Sequence, residues 1–219
     1  MDIVTAVLFD GGFYQRRAQT LFGAVTPKER VDELMRYAHL HVKKPDYLYR
    51  IFYYDCPPSK DRIYHPLLKK QIDLSKSEEY KWMTEFHKEI LNRRKVALRM
   101  GELSLNKTGY ALKPDVVKKL LSGSMTIADL TEKDFYLSIE QKGVDMRIGL
   151  DISSMAFKKQ VNRIVLISGD SDFIPAAKLA RREGIDFVLD SMGASIKDSL
   201  NQHIDGWTTH IKAITPKAK

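Results

Sequence analysis

The sequence has 219 residues and a mass of 25.2 kDa, with 36 Lys+Arg against 28 Asp+Glu and a formal charge of +8. Its hydrophobic fraction of 43% supports a packed core and excludes a disordered chain. The single cysteine, Cys56, excludes an intramolecular disulfide and a Cys-rich zinc site, and the absence of any run of about 18 apolar residues argues against a spanning helix.

In chain order, Val4–Phe9 is an apolar run closed by Asp10-Gly11-Gly12, the pattern of a buried parallel strand. Thr26-Pro27-Lys28-Glu29 forms a capping box with proline at the first helical position, predicting a helix to about Val42. Tyr47–Tyr54 predicts a second strand, stopped at Cys56-Pro57-Pro58. Residues 59–95 read as a helical insertion, with apolar residues recurring from Leu67 to Leu91. A third strand is expected over Val96–Leu105 and a helix from Lys113-Pro114 to Leu121, while Phe135–Ile139 fits strand or helix. A helix over 146–160 places Ile148, Ile152, Met155 and Ala156 on one face. Arg163–Ser168 is the clearest strand, followed by a helix over Ile174–Glu183 and a strand over Ile185–Leu189. A helix near Ile196–Ile204 and a strand at Trp207–Ile211 complete the pattern. Strands alternating with helices predict an α/β fold with a central, mainly parallel sheet flanked by helices. One domain over 1–212 with a short tail at 213–219 is expected.

Asp10 and Asp170 each follow a buried strand. In an open parallel sheet, ligands bind beyond the carboxyl ends of the strands, where strand order reverses. If the two strands are neighbours, the aspartates lie side by side, and crowded carboxylates need protons or cations to offset their repulsion. Hard oxygen ligands without cysteine or a histidine cluster point to Mg²⁺ or Mn²⁺. Ser168-Gly169-Asp170-Ser171-Asp172-Phe173 adds Asp172 to the set, and Asp145, in Lys142-Gly143-Val144-Asp145, stands where a helix start would aim it at the same cavity. The plainer reading makes Asp172 and Asp145 helix caps and Asp170 a turn residue. Asp151, six residues beyond Asp145, falls on another helix face and is the weaker ligand.

Three blocks, Phe9-Asp10-Gly11-Gly12, Lys142–Asp145 and Ser168–Phe173, resemble the NYN domain group of the PIN-like nuclease superfamily in order and spacing. The resemblance runs from Val4 to about Ile211, with residues 56–134 matching only in layout. It implies a PIN-like, Rossmannoid three-layer fold and a metal-dependent ribonuclease that leaves 5′-phosphate and 3′-hydroxyl ends. Asp10, Asp145, Asp170 and Asp172 then become the acidic, metal-holding cluster, and Ser168 lines the pocket. Many members carry an asparagine just after the first aspartate; Phe13 stands there in this sequence, which puts substrate positioning in question.

RNA is the expected partner, and PIN-like proteins often pair, so a homodimer is one expectation. The first residues lack the basic-then-apolar pattern of a secretory leader, so a cytoplasmic location is expected. Residues 86–119 hold nine basic and three acidic side chains, +6 of the total +8. Arg93, Arg94, Lys95 and Arg99 from this run, with Lys142, are the candidate phosphate contacts, against the plainer reading of a solvated face. Tyr80, Trp82 and Phe86 stack bases if exposed, but their recurrence favours the core face of a helix. Two other readings compete. One is a haloacid-dehalogenase-type phosphatase with Asp10 as nucleophile, although Gly12 occupies the place of its second aspartate. The other is a binding module for RNA or protein without turnover.

Overall fold

The computed structural model describes residues 2–214, without the side chains of 105–108 and 199. Strand β1 (Val4–Asp10) leads directly into helix α1 (Gly11–Phe22), then α2 (Pro27–Leu40) and β2 (Tyr47–Asp55). A hairpin of β3 (Arg62–His65) and β4 (Lys70–Asp73) precedes α3 (Glu78–Leu91) and β5 (Val96–Met100). A longer hairpin pairs β6 (Glu102–Leu112) with β7 (Phe135–Lys142) and carries α4 (Pro114–Leu121) in its loop. The chain continues through α5 (Val144–Phe157), β8 (Arg163–Ile167), α6 (Ile174–Arg182), β9 (Asp186–Asp190), α7 (Asp198–Asn201), β10 (Gly206–Trp207) and α8 (Ile211–Ile214).

Six strands form one parallel sheet in the order β10-β9-β8-β1-β2-β5, and each hairpin is a separate antiparallel pair. β1 is buried on both faces because alternate residues serve two cores. Ala6 and Leu8 pack with Ile148, Ile152 and Ala177 on the α5–α6 side. Val7 and Phe9 pack with Tyr14, Val31, Leu34 and Phe86 on the α1–α3 side. Strand order runs outward from β1 through β2 to β5, then restarts on the other side of β1 with β8 and continues to β10. The reversal lies between β1 and β8, where Phe9 stands opposite Ile167.

Helix α2 begins as expected, with Thr26 and Glu29 exchanging capping bonds, and ends two residues short of Val42. Helix α1 has no counterpart in the sequence reading, because Gly11-Gly12 at its start looks like a turn. Asp10 starts it by accepting the Phe13 N–H, at 3.1 Å. Gly11 is required by close packing: a Cβ there would lie 2.4 Å from the Tyr54 carbonyl oxygen.

The helical insertion at 59–95 is corrected. Its first half is the β3–β4 hairpin, and only Glu78–Leu91 forms a long helix. The single strand over Val96–Leu105 is two strands, divided at Gly101, with β5 in the central sheet and β6 outside it. A Cβ at Gly101 would meet the Lys142 carbonyl oxygen at 2.6 Å, so the chain can turn there only against a bare backbone. Near the end, α7 is four residues and β10 is two, shorter than expected, α8 takes up Ile211 and the first two residues of the expected tail at 213–219, and residues 215–219 lie outside the described residues. No helix among the described residues is long and apolar enough to cross a membrane.

Gly11→Ala is expected to cost about 2 kcal/mol, lowering Tm by roughly 4–8 °C. Gly149 provides the contrast, because it sits inside α5 with nothing within 4 Å of an added Cβ. Gly149→Ala should raise Tm by roughly 2 °C, the gain for replacing a helical glycine in open space. Thermal melts giving no loss for the first variant, or a loss for the second, contradict this packing.

Candidate active site

Parallel pairing of β1 with β8 brings their carboxyl ends together. Asp10, the last residue of β1, keeps one oxygen on the Phe13 N–H and accepts the Ser168 hydroxyl with the other, at 3.1 Å. Ser168 is fully buried, and its oxygen also accepts the Asp170 N–H at 3.2 Å. Asp170 in turn accepts the Asp172 N–H at 3.0 Å, closing a short 3₁₀ turn over Ser171–Phe173. One relay of hydrogen bonds therefore runs from Asp10 through Ser168 to Asp170 and Asp172. Asp170 is a turn residue, as the plainer reading had it, as well as a neighbour of Asp10. Asp172 does not cap α6, whose N-cap is Phe173 with no side-chain cap bond.

Asp145 lies in the first turn of α5, and the cap is Gly143, in the left-handed conformation at φ 76°. The expected capping role for Asp145 is therefore not seen. Burial raises the proton affinity of Asp145, and the charges of Asp10, Asp170 and Asp172 raise it further. Burial likewise pushes Asp10 up and the Asp170 charge adds to this, while the Phe13 N–H, the Ser168 hydroxyl and Arg16 pull it down. Four aspartates from three separate segments thus share one electrostatic field.

Among the described residues, no three His, Cys, Asp or Glu side chains form a ready-made ligand cage. Each carboxylate oxygen has more than one lone pair, so those already bonded to N–H or O–H groups keep acceptor capacity. A donor set of hard oxygens without thiolate or imidazole fits Mg²⁺ or Mn²⁺, ions that commonly reach one or two carboxylates directly and others through retained water.

Phe13 does not point a polar group at this pocket. Its ring covers Gly169, where an added Cβ would come within 2.8 Å of the ring edge. Cys56 is no nucleophile: burial, reinforced by the Asp55 charge, pushes its thiol up to about 11. Asp151 accepts the Tyr54 hydroxyl at 2.9 Å and pairs with Arg99 at 3.1 Å, so both Asp151 and Arg99 are committed elsewhere.

The expected basic contacts need correction. Arg93, Arg94 and Lys95 precede β5, at the amino ends of the strands, about 16 Å of strand away from the carboxyl end. Arg93 pairs with Asp32 at 2.7 Å, and Lys95 donates to the Leu48 carbonyl and lies over the Tyr47 ring. The side chain of Lys107 lies outside the described residues. Lys142, exposed at the end of β7, is the one expected cation next to the aspartates' own segment. Two others were missed. A guanidinium nitrogen of Arg16 lies 3.5 Å from where a Gly12 Cβ would be, and Lys197 reaches the Ser171 hydroxyl at 3.2 Å. Reading Asp10 as a helix cap would have placed Arg16 on α1 beside it; Lys197 had only its place after a strand end as a signal.

The raised proton affinity of Asp145 has a measurable sign. Its folded form holds a proton more readily than the unfolded chain, so its contribution favours folding in acid and is lost as pH rises past the folded value. Asp145→Asn should therefore raise Tm slightly at pH 7 in chelator, by no more than about 1 °C because solvent screens this exposed carboxylate, and the gain should fade below about pH 4. A variant less stable than wild type at pH 7 in chelator would show that the repulsion is absent.

Comparison with known proteins adds a family. The model of the NYN domain matches residues 81–208, a span that contains the Lys142–Asp145 and Ser168–Phe173 blocks. No curated protein matches the sequence. Among solved structures, a protein of unknown function from Vibrio parahaemolyticus RIMD 2210633 aligns at 15% identity and a TM-score of 0.49, over 94% of this chain and 91% of that one. With more than half of its length under the family match, and a parallel α/β sheet beneath it, the chain belongs to the NYN domain family of the PIN-like superfamily.

Proposed function

We propose that this protein is a divalent-metal-dependent ribonuclease that hydrolyses phosphodiester bonds at the β1–β8 strand ends. One observation carries the reading: Asp10 at the end of β1 is tied through the Ser168 hydroxyl to the Asp170 turn after β8, and the charges of Asp10, Asp170 and Asp172 all act on Asp145. The NYN family gives a nuclease-like fold, and that family membership supports the reading without identifying the substrate.

Asp10, Asp145, Asp170 and Asp172 would hold Mg²⁺ or Mn²⁺, which supplies positive charge for the phosphate oxygens and makes water a better nucleophile near neutral pH. The residues of the chain do the rest. Ser168 fixes the Asp10 carboxylate, and the Asp172 N–H fixes Asp170, so both are oriented before substrate arrives. Asp145 has no hydrogen-bond partner among the described residues, which leaves its carboxylate oxygens to the ion and to the water that the ion would hold. Attack forms the new P–O bond and breaks the bond to the 3′ oxygen, which leaves with its electron pair and is protonated by solvent. The products carry 5′-phosphate and 3′-hydroxyl ends.

A second reading, a binding module without turnover, draws on the lack, among the described residues, of three directly convergent carboxylates. The phosphatase reading keeps Asp170 and Asp172 as ligands for Mg²⁺ but is the weaker one, because Gly12 stands in place of its second aspartate.

Labelled RNA with Mn²⁺ separates these readings. Asp10→Asn and Asp170→Asn should each reduce cleavage at least about 100-fold, the scale for losing groups that act in the transition state. Wild-type rates in both variants would refute the assignment, and binding without cleavage by the wild type would favour the module. Proton competition at Asp10 and Asp145 gives a further expectation. Mn²⁺ affinity by calorimetry should fall between pH 7 and pH 5, because both groups hold protons above the usual carboxylate range. An affinity constant across that interval would count against these two ligands.

A further inference from the structure

A cleft of about 620 Å³ opens beside the acidic cluster, on the far side of Gly11-Gly12. Its size falls in the range of about 300–1,000 Å³ typical of small-molecule sites. Three elements build it. α1 contributes its first turns, with Gln15 and Arg16. α3 contributes Tyr80 and Met83, half-buried residues of its first turns. The β6–β7 hairpin forms the opposite wall. Alternation along β7 puts Leu137, Ile139 and Gln141 on one face, and Leu103 stands directly opposite Gln141 in the pairing register.

The walls mix apolar and polar side chains: Leu103, Leu137, Ile139 and Met83 stand beside Gln15, Arg16 and Gln141, with Ser77 and Glu79 on the α3 side. Of the three aromatics that α3 supplies, Phe86 is fully buried, and Trp82 stacks on it and donates to the Val25 carbonyl. Tyr80 is the one left on the cleft. Gln15 donates its amide N–H to the Tyr53 hydroxyl, which holds its side chain in place at the cleft. The cleft also adjoins the acidic cluster. A Cβ built at Gly12 would sit 3.2 Å from Gln141 Oε1, 3.5 Å from an Arg16 guanidinium nitrogen and 3.8 Å from Asp10 Oδ1. The bare backbone of Gly12 thus brings the Gln141 and Arg16 side chains of the cleft close to the Asp10 carboxylate.

We propose that this cleft receives one unstacked base of a single-stranded substrate, adjoining the phosphate to be cut, with Arg16 on that phosphate. The proposal rests on the nuclease reading for the identity of the phosphate, but not for the binding of the base. A slot that combines the apolar side chains of β6, β7 and α3 and the Tyr80 ring with side-chain amides matches the flat faces and polar edges of a splayed base. A base stacked in a duplex cannot enter it. Stacking against such walls is sequence-tolerant, because every base has a π-face, so preference for strandedness should exceed preference for sequence.

The test uses the full chain. Anisotropy of a fluorescein-labelled single-stranded RNA in chelator reads base binding without any cleavage. Leu137→Trp, which fills the slot, and Tyr80→Ala, which removes a wall, should each weaken binding about tenfold. Two variants guard against misfolding of either, and thermal melts check both. Oligonucleotides with a single abasic nucleotide moved along the strand supply the second arm. With Mn²⁺, wild type should show a rise in KM of about tenfold at one position beside the cleavage point, and Leu137→Trp should show none. Unchanged RNA affinity in folded Leu137→Trp and Tyr80→Ala overturns the proposal, and so does a flat abasic profile in an active wild type. Wild type that binds RNA through the cleft but never cleaves it refutes the nuclease reading and leaves the base site standing.

Discussion

The adjacency of β1 and β8 is the constraint on which the rest depends. Parallel strands present all their carboxyl ends at one edge, and the reversal of strand order between these two leaves the space above them uncovered by a crossover helix. Asp10 works in two directions there. Its carboxylate starts α1 through the Phe13 N–H and fastens β8 through the Ser168 hydroxyl. The negative charge that would make the site functional is therefore the same charge that builds the local backbone around it.

The two faces of the sheet are secured differently. On the α5–α6 face an apolar core is joined by the bond from the Tyr54 hydroxyl to Asp151 of α5. On the α1–α3 face, three buried acids anchor helices. Glu33 accepts from Arg30 and from the Tyr14 hydroxyl, Asp190 accepts from the Tyr37 hydroxyl and pairs with His41, and Asp55 pairs with His87. Buried acids with more than one bonded partner add little net stability over well-packed apolar residues, but breaking one strands a charge and is costly. What they fix is register. Asp190 ties α2 to β9 and Asp55 ties α3 to the end of β2, so the cleft wall made by α3 is located relative to the strand ends.

Much of this was legible in the sequence where one physical signal dominated. The capping box at Thr26, the apolar run of Arg163–Ile167 and the turn-rich block after it each gave the element found there. Asp10 and Asp170 were readable as neighbours because buried parallel strands share one ligand-binding edge. Reading failed where local chemistry pointed two ways. Gly11-Gly12 reads as a turn yet begins a helix, since the bare backbone is needed against Tyr53 and Tyr54 and the Asp10 cap offsets the low helix propensity. Residues 59–95 repeat apolar side chains at a spacing that a hairpin followed by a helix also satisfies. The basic run misled for a different reason. Arg93, Arg94 and Lys95 are consecutive in sequence, but the direction of β5 places them at the opposite edge of the sheet from the aspartates, a fact of topology that no local window contains.

The contact between Phe13 and Gly169 bears on how this sequence can change over time. The ring occupies the volume that any side chain at 169 would need. Replacing Phe13 by a small amide would uncover the Ser168–Asp170 turn and, in the same step, permit a methyl or larger group at 169. Replacing Gly169 first, with the ring still in place, would force α1 or the turn to move. Substitution at these two positions is therefore ordered, with the aromatic leaving before the glycine, and descendants of this sequence should pass through the combination of small residue and glycine rather than the reverse.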